Sequence, residues 1–378
     1  MGGGEYALYN LLSGIDREKI KPVMIFNRHG EFVDKIKSLG VETVIIPFHN
    51  VMLRSLILPW KFWNLIKDSK MMYRYFKQTK PDVIQCSDVL SLMMISLPAL
   101  ILRVRVIYSI IFFYEWSRMI VFNVLAIFLV DKIIVSSIAV KDDIVRKTIF
   151  LSHRIKIFYL GIDLNLFKPI GSNDRNLLRE ELGLGPTVKL IGMIGRIEPL
   201  KGHKYLLQAV PNVLRVRQDV KFIIIGSALF QEVFPFFKKY HDEVLESYKC
   251  LNLDKSVIFL PYRDDIPDVM RSLDVLVCPS LYEGFGLVIL EALASGIPIV
   301  ASKTVGALEL VHDLPGVFIS EPGDHRSIAS HILNALSYIT EKSLKRNEDL
   351  NFNKVQAVLK NHNWHEYALQ MEQIYTTL

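Results

Sequence analysis

Short runs of β-branched and aliphatic residues recur along the second half of the chain, at 188–194, 221–225, 256–260, 274–278, 297–301 and 317–320. Between them the apolar positions switch to a helical spacing, over 203–217, 231–251, 266–272 and 286–295. The first pattern predicts buried strands and the second predicts helices. Strands that alternate with helices form a parallel sheet, because each crossover helix covers one of its faces. Right-handed crossovers make such a domain doubly wound, with ligands at the carboxyl ends of its strands. The first half alternates less regularly: 5–13 and 32–39 read as helices, and 22–26, 43–47, 82–85, 105–111, 132–135 and 156–159 as strands. Gly, Asp, Asn and Pro gather at 161–172 and mark a boundary. Two similar α/β domains are expected, 1–163 and 164–358.

The start of the chain is unusual. Gly2-Gly3-Gly4-Glu5 reads as a glycine-rich turn opening a helix, and in a doubly wound domain such a turn follows the first strand. Only Met1 precedes it, so the expectation is that the first strand of this half belongs to a longer chain.

Composition agrees with two folded domains. The 378 residues are 51% hydrophobic and 22% charged, which excludes a disordered chain. Mean hydropathy is high (+0.27), yet the longest apolar runs, 97–102 and 119–130, fall short of the ~20 residues that span a bilayer. No export signal is visible at the start, and Cys86, Cys250 and Cys278 are odd in number and widely spaced. A reducing compartment is therefore expected, without a disulfide framework or a zinc site. Charge is asymmetric: residues 1–163 carry 22 Lys+Arg and 14 Asp+Glu, and the remainder 23 and 25. The first half is expected to face something anionic.

Two segments carry candidate chemistry. In Gly192-Met193-Ile194-Gly195-Arg196-Ile197-Glu198-Pro199-Leu200-Lys201-Gly202-His203, a strand runs into glycines, then two cations, then a helix. Glycine admits a phosphate to the backbone, and a guanidinium with an ammonium can neutralise a diphosphate. Taken alone, a solvated turn with two surface cations fits equally well, and the P-loop pattern is absent. In Ser280-Leu281-Tyr282-Glu283-Gly284-Phe285-Gly286-Leu287, a strand end and a glycine turn lead into a helix whose first amides suit an anion. Glu291 is the one polar side chain from Leu287 to Ala294, so it lies on a helix buried nearly all round. Burying a carboxylate costs several kcal/mol unless it is hydrogen-bonded. Glu291 is thus expected to be bonded, either to a backbone amide or to ligand hydroxyls. Glu283 at the mouth of the same helix favours the ligand.

Together these spacings are specific. Glu283 with Glu291, Gly195-Arg196 with Lys201-Gly202, and Gly161-Ile162-Asp163 with Phe167 and Pro169 resemble glycosyltransferase family 4, the group 1 transferases. Val305-Gly306-Ala307-Leu308-Glu309 resembles that family's loop before a donor-facing helix, and the likeness runs over 130–330. Trp364 and Ile374-Tyr375 resemble its closing helix. The resemblance implies an α/β fold of the GT-B type, two Rossmann-like doubly wound domains facing each other across a cleft. Residues 1–163 would bind the acceptor and 164–358 the nucleotide-sugar donor, and 359–378 would cross back to the first domain. It implies that Arg196 and Lys201 bind the donor diphosphate, that Glu291 binds ribose hydroxyls, and that Glu283 contacts the donor sugar. Gly195, Gly284, Phe285, Gly286, Leu287 and Glu309 would line the donor, with Gly3 and Gly4 approaching the diphosphate from the first domain. Retaining transfer without a metal or other cofactor is implied, and no Asp-x-Asp pair is present to hold a cation.

Departures lie on the acceptor side. The family's usual histidine is missing from Tyr108-Ser109-Ile110-Ile111-Phe112-Phe113-Tyr114-Glu115, and another from Ile84-Gln85-Cys86-Ser87-Asp88. Glu115 or Asp88 would then serve, unless each is a helix cap or surface carboxylate. His312, His325, His362 and His365 read as structural or solvated. From Arg54 to Lys80 the chain interleaves Arg54, Lys61, Lys67, Lys70, Arg74, Lys77 and Lys80 with Trp60, Phe62, Trp63, Tyr73, Tyr75 and Phe76, against one Asp68. That mixture suits an anionic membrane surface, or an ordinary amphipathic helix pair packed on a sheet. No nucleic-acid-binding pattern accompanies it. The expectation is a glycosyltransferase on the cytoplasmic face of the membrane, acting on a sugar or lipid-linked acceptor. Its rivals are a nucleotide-sugar epimerase of the same fold and a degenerate nucleotide-sugar-binding protein.

Overall fold

The computed structural model describes residues 3–49, 59–110, 116–148, 151–169, 177–226, 235–344 and 352–378. The chain separates into two compact units, Met1–Gly161 with His362–Leu378, and Ile162–Asn361.

The first unit begins with α1 (Gly3–Gly14), β1 (Val23–Phe26), α2 (Glu31–Ser38) and β2 (Glu42–Ile45). It continues with α3 (Pro59–Thr79), β3 (Val83–Cys86), α4 (Val89–Leu102), β4 (Arg105–Ile110) and α5 (Trp116–Leu129). β5 (Lys132–Val135), α6 (Ile138–Lys147) and β6 (Ile155–Ile157) complete the order. All strands pair in parallel, but they form two sheets, β1-β2 and β3-β4-β5-β6, rather than one. Among the described residues β1 and β3 each keep one unpaired edge, and both are only partly buried, whereas β4 and β5 are buried almost throughout. In a doubly wound order the strand ahead of the first helix lies between those two edges. No strand precedes α1 among the described residues.

α3 packs along α4, and α4 along α5. The crossovers through α4 and α5 are of one hand, so both helices cover the same face of β3-β4-β5. Their inner stripes, with Met72, Phe76, Leu92, Ile95, Met119 and Phe122, close one core over Tyr108 and Ile133. The basic stretch contributes one 21-residue helix among the described residues instead of a helix pair, and Arg54 lies outside those residues. The closing segment docks within this unit. The Trp364 ring meets Tyr6 edge-on at 5.8 Å, the Asp16 amide donates to Glu372 Oε1 at 2.6 Å, and Tyr375 donates to Gln85.

The second unit holds one six-stranded parallel sheet in the order β12-β11-β10-β7-β8-β9. Its elements are α7 (Leu177–Glu181), β7 (Lys189–Ile194), α8 (His203–Leu214), β8 (Val220–Ile225), α9 (Pro235–Cys250), β9 (Val257–Leu260), α10 (Ile266–Ser272) and β10 (Val275–Cys278). α11 (Leu287–Ala294), β11 (Ile299–Ser302), α12 (Val305–Val311), β12 (Val317–Ser320), α13 (His325–Leu344), α14 (Phe352–Asn361) and then, in the first unit, α15 (Trp364–Thr377) follow. The chain winds outward through β8 and β9 on one side of β7 and through β11 and β12 on the other side of β10. The switch point, where a doubly wound sheet opens a crevice, is therefore between the carboxyl ends of β7 and β10.

Candidate functional site

Both candidate segments emerge at this switch point. After β7 the chain makes a single 3₁₀ turn, Pro199–Lys201, that ends on Gly202 at φ 76°. A Cβ on Gly202 would sit 2.0 Å from the Pro279 carbonyl oxygen, so only glycine lets the turn press against the end of β10. The Leu281 amide donates to the Leu200 carbonyl at 2.8 Å and ties the two loops together. Lys201 is thereby carried to the second loop, where its Nζ donates to Glu283 Oε2 at 2.8 Å. Ser280 Oγ donates to the same carboxylate oxygen at 3.1 Å. α12 closes the other side, since a Cβ on Gly306 would lie 2.4 Å from the Glu283 carbonyl oxygen.

The charges around this contact are poised unequally. Burial opposes the charge on Lys201, but the Glu283 carboxylate more than offsets it and holds the ammonium above its ordinary range. Among the described residues Arg196 reaches Glu198 alone, at 3.4 Å, and leaves 37% of its side chain open. The fully buried His203 makes no hydrogen bond through either ring nitrogen among the described residues. Burial, then Lys201, pushes its pKa down to about 3 against the Glu198 and Gly195 backbone, so it is neutral. Burial also pushes the Cys278 thiol, at the end of β10, well up and keeps it protonated.

Glu291 departs from expectation. Ile289, Leu290, Ala292, Leu293 and Ala294 are buried, but Leu287, Val288 and Glu291 form a partly open stripe along α11. The Glu291 carboxylate has no hydrogen bond or ion pair among the described residues. Burial alone raises its pKa to about 7. The site thus holds a carboxylate acceptor with no partner among the described residues, on the same helix whose amino end begins with the Leu287 and Val288 amides, the Ile289 amide already donating to the Gly286 carbonyl at 2.9 Å.

The other candidates are distributed as follows. Phe285 is buried, Gly284 half-buried, and Gly286 and Leu287 stand at the amino end of α11. Gly195 closes β7 with its amide donating to the Ile225 carbonyl at 2.9 Å. Glu309 is half-buried on α12. Gly3 and Gly4 form the first turn of α1, in the other unit. On the acceptor side Asp88 is the cap of α4, accepting from the Ser91 amide at 2.9 Å, and Tyr108 is in the core. Glu115 lies outside the described residues. Ser280, Glu198 and His203 were not singled out by sequence; a histidine directly after Lys-Gly and ahead of an apolar helix was the available signal.

Two family models cover most of the chain: residues 174–349 match glycosyl transferases group 1, and residues 1–166 match glycosyltransferase family 4. The D-inositol 3-phosphate glycosyltransferase of Segniliparus rotundus is 32% identical over 169 residues, 44% of this chain and 36% of that protein. An Escherichia coli UDP-Gal:alpha-D-GlcNAc-diphosphoundecaprenol alpha-1,3-galactosyltransferase is 30% identical over 191 residues, 50% of this chain and 46% of that protein. The chain thus spans less than half the length of these relatives. The crystal structure of Anabaena HepE in complex with UDP and glucose superposes over 100% of this chain and 96% of its own, with TM-score 0.81 and 24% identity. With that GT-B likeness and both halves matched, the chain belongs to the group 1 glycosyltransferases of family 4.

Proposed function

We propose that the chain transfers a sugar from a nucleotide-sugar donor to a sugar or lipid-linked acceptor, with retention and without a metal, in surface polysaccharide or glycolipid assembly on the cytoplasmic face of the membrane. The observation that carries the reading is the unpartnered Glu291 carboxylate beside the Lys201–Glu283 contact at the switch point. Ribose hydroxyls of the donor would supply the hydrogen bonds Glu291 lacks. The donor diphosphate would lie over Arg196, Lys201 and the amides at the start of α11, which suit its charge. Transfer breaks the bond from the sugar C1 to the phosphate oxygen and forms one to the acceptor oxygen, whose proton passes to the departing phosphate oxygen. The electron pair stays on the departing diphosphate, where the two cations stabilise it in the manner a metal would. Glu283, held by Lys201 and Ser280, would orient the donor sugar. Names of relatives support the substrate classes: one is named for an inositol phosphate glycosyl transfer and another for a diphosphoundecaprenol-linked acceptor.

The test incubates the protein with a panel of nucleotide-sugars and a membrane extract and measures nucleoside diphosphate release. Release that needs the extract is expected. Binding without release would favour a degenerate binding protein, and free epimerised donor an epimerase. Glu291→Ala is expected to abolish donor binding with the fold intact, and unchanged affinity would remove Glu291 from the donor site.

A further inference from the structure

α4 and α5 carry no acidic residue, and no basic residue on α4, yet each leaves an apolar stripe in solvent. On α4 the stripe is Leu97, Leu100 and Ile101, and on α5 it is Ile120, Val124 and Phe128, with Phe128 77% exposed. Their opposite stripes are all in one core, so these six side chains point outward from the same helix layer. A contiguous apolar surface of this kind on a folded domain marks an interaction site.

α3, packed along α4, supplies the charge. Its exposed Trp63, Ile66, Lys67, Lys70, Arg74 and Lys77 recur every three or four residues and form one outer stripe, with Gln78 and Thr79 also exposed at the helix end. Asp68, the single acidic residue of the helix, is not on it: it is 3% exposed and accepts from the His49 amide and meets the His49 ring, both at 2.9 Å. At the far end of α3 and α4 the row continues into Lys80 and Arg103, which line a cavity of about 580 Å³ that also takes in Asp82. The layer is therefore apolar through α4 and α5 and basic along α3.

We infer that the outer face of α3, α4 and α5 seats the protein on an anionic lipid surface, with the α4 and α5 side chains at the acyl boundary and the α3 cations among the headgroups. The inference rests on the proposed lipid-linked acceptor and moves the inserted part of the contact out of the basic stretch into the two helices that follow it. Cations flanking an apolar stripe are what a monotopic contact needs, since apolar burial holds the protein and anionic lipid attracts it. A second copy fits the face less well, because the described side chains of these three helices expose no carboxylate to receive the α3 cations. No described helix is long and apolar enough to cross the membrane, so the face lies on it.

Flotation of the full chain with phosphatidylcholine vesicles, with and without about a third phosphatidylglycerol, tests this. Salt-sensitive binding to the anionic vesicles is expected, with a blue shift of Trp63 fluorescence. Val124→Asp with Phe128→Asp should weaken vesicle binding more than about tenfold and leave nucleoside diphosphate affinity unchanged. Lys70→Glu with Arg74→Glu should weaken it and flatten the salt dependence. Wild-type affinity in the Val124/Phe128 variant would overturn the inference. A wild-type chain that ignores vesicles and instead dimerises until those two side chains are charged would also overturn it. Nucleoside diphosphate release with a water-soluble acceptor is read in parallel. Release without vesicle binding removes the lipid face alone, and vesicle binding without release removes the transfer reading alone.

Discussion

Burial moves two side chains of the Ile162–Asn361 unit in opposite directions, and each gives a pH signature. Glu291 holds its proton to about pH 7 in the folded chain, against an ordinary value of 4.5. Between those values the native state binds the extra proton, so stability falls as pH rises through the window. Glu291→Gln is expected to remove that slope and to exceed wild type by about 2 kcal/mol at pH 8 in urea unfolding. Equal slopes in the two proteins would mean that the carboxylate is not desolvated. His203 is lowered to about 3 from 6.5, so its contribution is present above pH 6.5 and is lost as pH falls toward 3. The acid limb should flatten in His203→Gln. Lys201 is at the centre of the site by contact, and Lys201→Ala should lower kcat by at least about a hundredfold, with Glu283 left without its cation. A variant with wild-type kcat would place the leaving group elsewhere.

At the scale of elements, the close approach of the Lys201 turn to β10 is the feature most open to test. Gly202→Ala forces a Cβ against the Pro279 carbonyl at positive φ, and a loss of more than about 2 kcal/mol is expected by denaturant unfolding. A neutral substitution would mean that the two loops are free to separate. Most strands were legible because strands of a parallel sheet are buried on both faces and read as unbroken apolar runs, as in Val275–Cys278 and Lys132–Val135. Their pairing was not. The strands of the first unit form two sheets, and which edges meet is not written in any one strand's composition. The stretch around Lys67 was ambiguous for the same kind of reason: charge and aromatic content do not say which positions of a helix face the core.

Across the whole molecule, two compact units predict two unfolding events. In calorimetry of the full chain, nucleoside diphosphate at about a hundred times its Kd should stabilise the Ile162–Asn361 transition by about 2.7 kcal/mol and leave the other in place. A shift of both transitions together would show that the units unfold as one. The net charge of +6 is uneven at this scale: residues 1–163 carry 22 Lys+Arg against 14 Asp+Glu, with Lys67, Lys70, Arg74 and Lys77 on one outer stripe of α3, while Arg196 and Lys201 of the second unit stand at the sheet's switch point.

The sequence by itself determined the alternation of strands and helices and the spacing of Arg196, Lys201, Glu283 and Glu291. Both are local patterns, written in side-chain periodicity and in residues a few places apart. The tertiary structure decided what those residues meet. Lys201 and Glu283 are 82 positions apart and touch because β7 and β10 are neighbours in the sheet. Glu291 has no hydrogen bond or ion pair among the described residues, and it is burial in the folded unit that raises its pKa to about 7. Exposure was decided in the same way. Asp68 is buried and Phe128 is open because burial belongs to the packed surface rather than to the residue, and that surface exists once the helices are laid on the sheet.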